Sequence, residues 1–194
     1  MAEVRIQKSD LRDKYSKVRN EMPPEDREFL DEKILSRLIA SITFRHTNNI
    51  LLYASKGSEI DTWKIFSCAR RAGKNAYFPK CFDGGIMKYY LIENKEQLVE
   101  GTFGILEPDG TTKEFDNGEN GSICVVPGLL FDKDGYRIGY GKGFYDRFLS
   151  RFGGVSIGLV YKDLLFDRLP RGHFDRHVDI MISEKGVCAV NATK

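Results

Sequence analysis

The chain has 194 residues, 41% of them hydrophobic, and its 30 Lys and Arg nearly balance its 28 Asp and Glu, leaving a net charge of +2. Such a length suits one domain, residues 1–194, with a sizeable core. Basic and acidic residues are interleaved throughout, so there is neither a global field nor a basic run to grip a nucleic-acid backbone. No apolar run approaches the ~20 residues of a membrane span, and the opening MAEVRIQKSDLRDKY lacks a signal-peptide core. The expectation is a soluble, cytoplasmic monomer without nucleic-acid or membrane partners. Cys68, Cys81, Cys124 and Cys188 are widely spaced and form no CxxC pair, which points to buried thiols rather than a zinc or redox site.

Leu11, Tyr15, Val18 and Met22 recur at i, i+4, i+7 and i+11, predicting a helix with that face inward. Pro23-Pro24 ends it, and Glu25 and Asp26 suit the first turn of a second helix. The stripe of that helix, Leu30, Ile34, Leu38 and Ile42, runs on to about Phe44. Residues 49–54 (NILLYA) read as a buried strand. Residues 61–72 read as a helix with an Asp61 cap and Gly73 at its end, and Trp63 on it belongs to the core. Further strands are expected at 75–78, 87–92, 122–126, 155–160 and 178–183, and disorder at 115–121 and the last few residues. Strands alternating with helices indicate an α/β domain with a largely parallel sheet.

Residues 126–147, VPGLLFDKDGYRIGYGKGFYDR, carry the clearest chemistry. A strand ends at Pro127-Gly128, a turn follows at 132–135, and Gly139, Gly141 and Gly143 then alternate with other residues, Arg137 and Lys142 among the segment's cations. A helix is expected over 144–152. Glycines let backbone N–H groups approach an anion, and a helix start adds partial positive charge. The segment suits phosphate, with Asp146 placed to hold a metal beside it; a tight surface turn would also explain the glycines. GxGxG is neither the dinucleotide GxGxxG nor a Walker loop. Lys8 and Arg12 lie one turn apart on one helix face, a pattern that equally describes a solvated surface. Glu59 sits in a turn beyond a strand. His173 and His177 are spaced i, i+4, but Pro170 and Gly172 argue for a loop and no third ligand accompanies them.

The string VPG-x-x-FD-x-x-G-x-R-x-G-x-G-K-G-F-YD strongly resembles the 5-formyltetrahydrofolate cyclo-ligase family. Other family elements follow in order: Lys8-Ser9-Asp10-Leu11-Arg12, Ser58-Glu59-Ile60-Asp61-Thr62, Phe78-Pro79-Lys80, Phe103-Gly104-Ile105-Leu106-Glu107-Pro108 and Asp175-x-x-Val178-Asp179. Phe144 stands where the family commonly has Tyr, and Lys142 where many members have Gly. The resemblance implies a three-layer α/β/α fold with a largely parallel, Rossmann-like sheet, like the sugar-phosphate isomerases and CoA transferases. It implies an irreversible, ATP- and Mg²⁺-dependent cyclisation of 5-formyltetrahydrofolate, with or without a polyglutamate tail, to 5,10-methenyltetrahydrofolate through a phosphorylated formyl group.

By the same resemblance, ATP is held by Lys8, Ser9, Asp10, Leu11 and Arg12 and by Arg137, Ile138, Gly139, Tyr140, Gly141, Lys142, Gly143, Phe144 and Tyr145. The folate is held by Ala54, Glu59, Phe103, Tyr140, Gly141, Lys142, Gly143 and Phe144. Arg12, Arg137 and Lys142 are the catalytic cations. Asp146 and Asp175 are the Mg²⁺ carboxylates, with Asp179 competing for the second position.

Overall fold

The structure is a computed structural model that describes residues 2–101, 104–116 and 121–190. Its helices are α1 (Ala2–Asn20), α2 (Pro24–Ala40), α3 (Ile42–His46), α4 (Thr62–Arg71) and α5 (Phe144–Leu149). The main sheet uses β1 (Asn49–Leu51), β2 (Asn75–Phe82), β3 (Ile86–Leu91), β6 (Ser122–Val126), β9 (Val155–Leu159), β11 (Ile180–Ser183) and β12 (Gly186–Ala189). Their order is β12-β11-β9-β6-β1-β2-β3. The five inner strands are parallel, and the two edge strands pair antiparallel.

Strand alternation places the helices in layers. Phe78 lies opposite Tyr90, and Pro79 opposite Tyr89, so Phe78 and Tyr89 face opposite sides of the sheet. Trp63 and Phe66 of α4 pack on Phe78, with ring centroids 5.2 and 5.4 Å away. Phe148 of α5 meets Tyr89 on the other side at 4.9 Å. α2 joins the α4 layer: Asp31 accepts from the Asp61 N–H at 3.0 Å and from the Tyr161 hydroxyl at 2.6 Å. The expected three-layer arrangement around a largely parallel sheet is therefore present.

Several local expectations need correction. The first strand is three residues long; the Leu52 N–H still donates to the Tyr77 carbonyl at 2.9 Å, and Tyr53 and Ala54 run on buried beyond it. Ser41 divides the second predicted helix. Its hydroxyl donates to the Leu38 carbonyl at 2.7 Å and accepts from the Phe44 N–H at 3.1 Å, so Phe44 turns inward and Ile42 outward. On α1, Leu11, Tyr15 and Met22 pack against the core as expected, but Val18 is 45% exposed and Arg19, at 7%, takes the inward place beside them. Phe115, assigned to a disordered stretch, is buried edge-on to Tyr77. Residues 117–120 and 191–194 lie outside the described residues.

A second, small sheet has no counterpart in the sequence reading. β7 (Leu130–Asp132) pairs antiparallel with β8 (Arg137–Ile138) and parallel with β10 (Leu165–Phe166). A further antiparallel pair joins β4 (Leu98–Glu100) to β5 (Leu106–Pro108). The small sheet is tied by Asp132, which is fully buried. Its carboxylate accepts from the N–H groups of Asp134, Tyr136 and Leu169 at 3.1, 3.0 and 3.0 Å and from Arg171 at 2.9 Å. Tyr15 of α1 packs edge-on against Phe166 of β10 at 5.1 Å, docking the helix on this sheet.

Asp132→Ala would leave buried donors without an acceptor, at roughly 1–3 kcal/mol for each group not reached by water. The expected outcome is a loss of at least ~3 kcal/mol of stability, read from urea unfolding. Asp134→Ala, which removes an exposed partner of the same Arg171, should lose no more than about 1 kcal/mol.

Candidate active site

One helix reaches four separate segments. Lys8 forms an ion pair with Asp175 in the loop before β11. One turn on, Arg12 Nε donates to the Gly139 carbonyl at 2.7 Å. Two turns further, Arg19 donates to the Ser58 hydroxyl and to the Gly128 carbonyl, both at 3.2 Å. Leu11 packs toward the core, whereas Ser9 and Asp10 are exposed. Arg19 is the site residue that the sequence reading missed. Its signal was present: Lys8, Arg12, Tyr15 and Arg19 follow the same i, i+4, i+7, i+11 spacing, but three cations obscured it.

The glycine segment leaves β8 at Ile138, which is buried, and runs back across α1. Gly141 and Gly143 have φ of +81° and +70°, which a side chain disfavours by about 1–2 kcal/mol. A Cβ at Gly141 would also lie 3.1 Å from the Arg12 guanidinium. Arg147 fixes the far end, donating to the carbonyls of Lys142 and Gly85, each at 2.8 Å, with its guanidinium over the Phe144 ring. Phe144 and Tyr145 pack against the core, and the Lys142 side chain is exposed. The helix expected over 144–152 stops at Leu149. It has six residues, so its macrodipole is small. What the segment offers an anion is its backbone N–H groups and the neighbouring cations rather than a helix dipole.

The acidic residues divide by contact. Asp146 accepts from Arg137 at 3.2 Å and from the Arg176 N–H at 3.1 Å, and Arg137 also donates to the Arg176 carbonyl at 2.8 Å. Asp146 is thereby tied to the residue that follows Asp175. Asp175, besides its pair with Lys8, accepts from the Gly172 N–H at 2.6 Å. The Asp179 carboxylate is taken up by Ser156, from its N–H at 2.8 Å and its hydroxyl at 2.6 Å. Among the described residues no three His, Cys, Asp or Glu side chains cluster as a metal cage. In donor chemistry two carboxylates suit Mg²⁺, which commonly takes one or two of them plus phosphate oxygens and water.

Glu59 lies at the other end of the glycine segment. Its carboxylate accepts from the Tyr140 hydroxyl at 3.1 Å and from the Lys56 N–H at 2.9 Å. Burial pushes Glu59 above the usual carboxylate range, opposed by the Lys56 N–H, by the charge of Arg19 and by Tyr140. A cavity of about 310 Å³ opens beside it, bordered also by Arg27, Asp31, Asp61, Trp63 and Lys64. Ala54 is buried after β1. Phe103 lies outside the described residues. His173 and His177 sit in a loop, where His177 contacts its neighbour's carbonyl and the Tyr136 ring. Cys124 is buried, and burial pushes its thiol up to about 12 and that of half-buried Cys81 up to about 11. Cys188 is exposed rather than buried as expected. Among the described residues no helix is long and apolar enough to cross a membrane.

Residues 4–184 match the sequence pattern of the 5-formyltetrahydrofolate cyclo-ligase family. A protein named a probable 5-formyltetrahydrofolate cyclo-ligase from Schizosaccharomyces pombe is 30% identical over 122 residues, 61% of this chain and 60% of that protein. The 5-formyltetrahydrofolate cyclo-ligase of Haemophilus influenzae is 27% identical over 87% of this chain and 92% of its own. The solution NMR structure of Aquifex aeolicus 5,10-methenyltetrahydrofolate synthetase superposes with a TM-score of 0.84 at 33% identity, covering 96% of this chain and 94% of that one. The chain belongs to the 5-formyltetrahydrofolate cyclo-ligase family.

Glu59 carries a stability consequence. With its folded value raised, the native state holds a proton where the unfolded chain has lost it. Stability from this group therefore falls as pH rises from the ordinary glutamate value, about 4.3, through the raised one, and stays lost above. Glu59→Gln should melt at a higher temperature than the parent at pH 7–8, the gain shrinking to nothing below about pH 4. Thermal unfolding across that range reads it out.

Proposed function

We propose that this chain is an ATP- and Mg²⁺-dependent 5-formyltetrahydrofolate cyclo-ligase acting as a monomeric single domain. One observation carries the reading. The glycine segment that receives Arg12 at Gly139 places its Tyr140 hydroxyl on Glu59. Residues suited to phosphate thus adjoin a half-buried carboxylate suited to a heterocycle's N–H donors.

The chemistry needs such a neighbourhood. A formamide carbonyl is a poor electrophile and its oxygen a poor leaving group. If that oxygen attacks the γ-phosphorus of ATP, ADP departs and the formyl carbon is activated. The substrate's own N10 then attacks that carbon and gives up its proton to water, and phosphate leaves with the former formyl oxygen as the C–N double-bond character of the methenyl bridge forms. Phosphoryl transfer asks for alignment and charge neutralisation rather than a protein nucleophile.

In this reading Lys8, Arg12, Arg137 and Lys142 neutralise the phosphates and the developing charge. The backbone N–H groups of residues 139–143 orient them, and Phe144 and Tyr145 form the apolar floor. Asp146 and Asp175 would hold Mg²⁺, whose chemistry there is to neutralise phosphate oxygens. Glu59 accepts hydrogen bonds from the reduced pterin. Ala54, Phe103 and Tyr140 border the same ligand.

The reading is tested by following methenyltetrahydrofolate absorbance with 5-formyltetrahydrofolate, ATP and Mg²⁺. Turnover requiring both ATP and Mg²⁺ is expected; folate binding without ATP hydrolysis would overturn it in favour of a non-catalytic module. Asp146→Asn should lose most activity while the apo protein stays folded, at a reduced stability because Arg137 loses its opposite charge. Gly141→Val, strained at positive φ and crowding Arg12, should weaken ATP binding by about tenfold or more, ~1.4 kcal/mol, with folding retained. Glu59→Gln should weaken folate binding by more than about tenfold, as expected for a hydrogen bond to a charged group worth roughly 1.5–3 kcal/mol, and leave ATP binding nearly unchanged. Calorimetry separates the two affinities.

A further inference from the structure

Arg19 has no part in the phosphate chemistry above, yet it is the most deeply placed cation of the α1 face, at 7% exposure. Its hydrogen-bond partners, the Ser58 hydroxyl and the Gly128 carbonyl, are neutral. Ser58 is itself fixed, donating to the Asn20 side chain at 2.5 Å. Among the described residues no carboxylate stands in ion-pair contact with Arg19. A guanidinium buried among neutral groups is costly unless an anion lies near enough to feel it.

The anion that feels it is Glu59, one residue beyond Ser58. Arg19 favours the ionised forms of both Glu59 and Tyr140. Of the other groups facing Glu59, the Lys56 N–H does more than Arg19 to favour the ionised form and the Tyr140 hydroxyl does less, so Arg19 is the cation whose charge acts on it. Tyr140 contributes a hydroxyl from the glycine segment, and Lys56 its backbone N–H. The Lys56 ammonium instead lies beside Gly104. Tyr53 and Tyr145 approach from beyond β1 and from α5 as neutral phenols. Arg27 and Lys64 border the adjoining cavity, where Asp31 and Asp61 oppose their charge.

We infer that Arg19 is a positioning residue for the folate end of the site, tying the segment after β1 to the segment after β6 and holding Glu59 and Tyr140 ready for the ligand's N–H donors. The identity of the ligand rests on the cyclo-ligase reading; the hold on Glu59 does not.

The test uses full-length protein labelled with ¹³C at glutamate carboxyls, with Glu59→Gln identifying the Glu59 resonance. Arg19→Gln should move the Glu59 titration midpoint up by roughly one pH unit. It should also weaken 5-formyltetrahydrofolate binding about tenfold, while ATP affinity stays within about twofold. Arg19→Lys keeps the charge and loses the fork. Its Glu59 midpoint should stay within ~0.3 units of the parent, while folate affinity still falls by about fivefold or more. A folded Arg19→Gln protein with an unmoved Glu59 midpoint overturns the inference. So does parental folate affinity in Arg19→Lys, which decides the matter if the Gln variant does not fold. If the parent protein fails to bind 5-formyltetrahydrofolate at all, the cyclo-ligase reading falls, and the Glu59 titration still decides the role of Arg19.

Discussion

The constraint on which the arrangement depends is the desolvation of cations on one helix face. α1 turns Lys8, Arg12 and Arg19 toward the body of the protein, where each has to find an acceptor. The acceptors come from the loop before β11, the glycine segment, and the segments after β1 and β6. An apolar helix face could slide over its support by a few ångströms at little cost. A face of charged groups with directional partners cannot, because each misplaced donor would be left buried without its partner. Tyr15 on Phe166 supplies the apolar contact between them. The register of α1 and the position of the glycine segment are therefore fixed together.

The same contacts join the two ends of the candidate site. Tyr140 belongs to the glycine segment and bonds to Glu59, and Arg12 holds the adjoining Gly139. A displacement at the proposed phosphate end is felt at Glu59 through one residue. Behind this segment stands Asp132, whose buried carboxylate sets the turn from which β8 and Arg137 emerge. The site is thus carried by a small sheet that was not legible in the sequence. Its strands are two or three residues long, too short to display a period, and Asp132 reads in sequence as a turn residue like any other.

What was legible followed from strong local signals. The apolar run of β6 and the Asp61 cap of α4 appear as expected, and the glycines at 141 and 143 adopt positive φ. Misreadings arose where a polar side chain decided the outcome. Ser41 broke a helix that hydrophobicity alone continues through Ile42. Arg19 took the inward position that a hydrophobic count gives to Val18. In both cases a hydrogen bond to a distant or local backbone carbonyl outweighed the burial of one aliphatic side chain, as a buried charged donor with a partner can. Patterns of apolar residues carry no record of such partners.

The carboxylates at the proposed phosphate end are charge-balanced within the protein itself. Asp146 is paired with Arg137, and Asp175 with Lys8, so each proposed metal ligand is held by a proposed phosphate ligand. Both pairs are partly buried, where a lone charge of either sign would be disfavoured. In the proposed reading, phosphate with its counter-ion offers each partner a new opposite charge at once, so neither has to be left alone during the exchange. The arrangement also explains why the acids sit on different segments, one on α5 and one in the loop before β11. Separate segments let each acid keep its own cation. Two neighbouring carboxylates sharing one site without a ligand would instead repel, and one would tend to take up a proton.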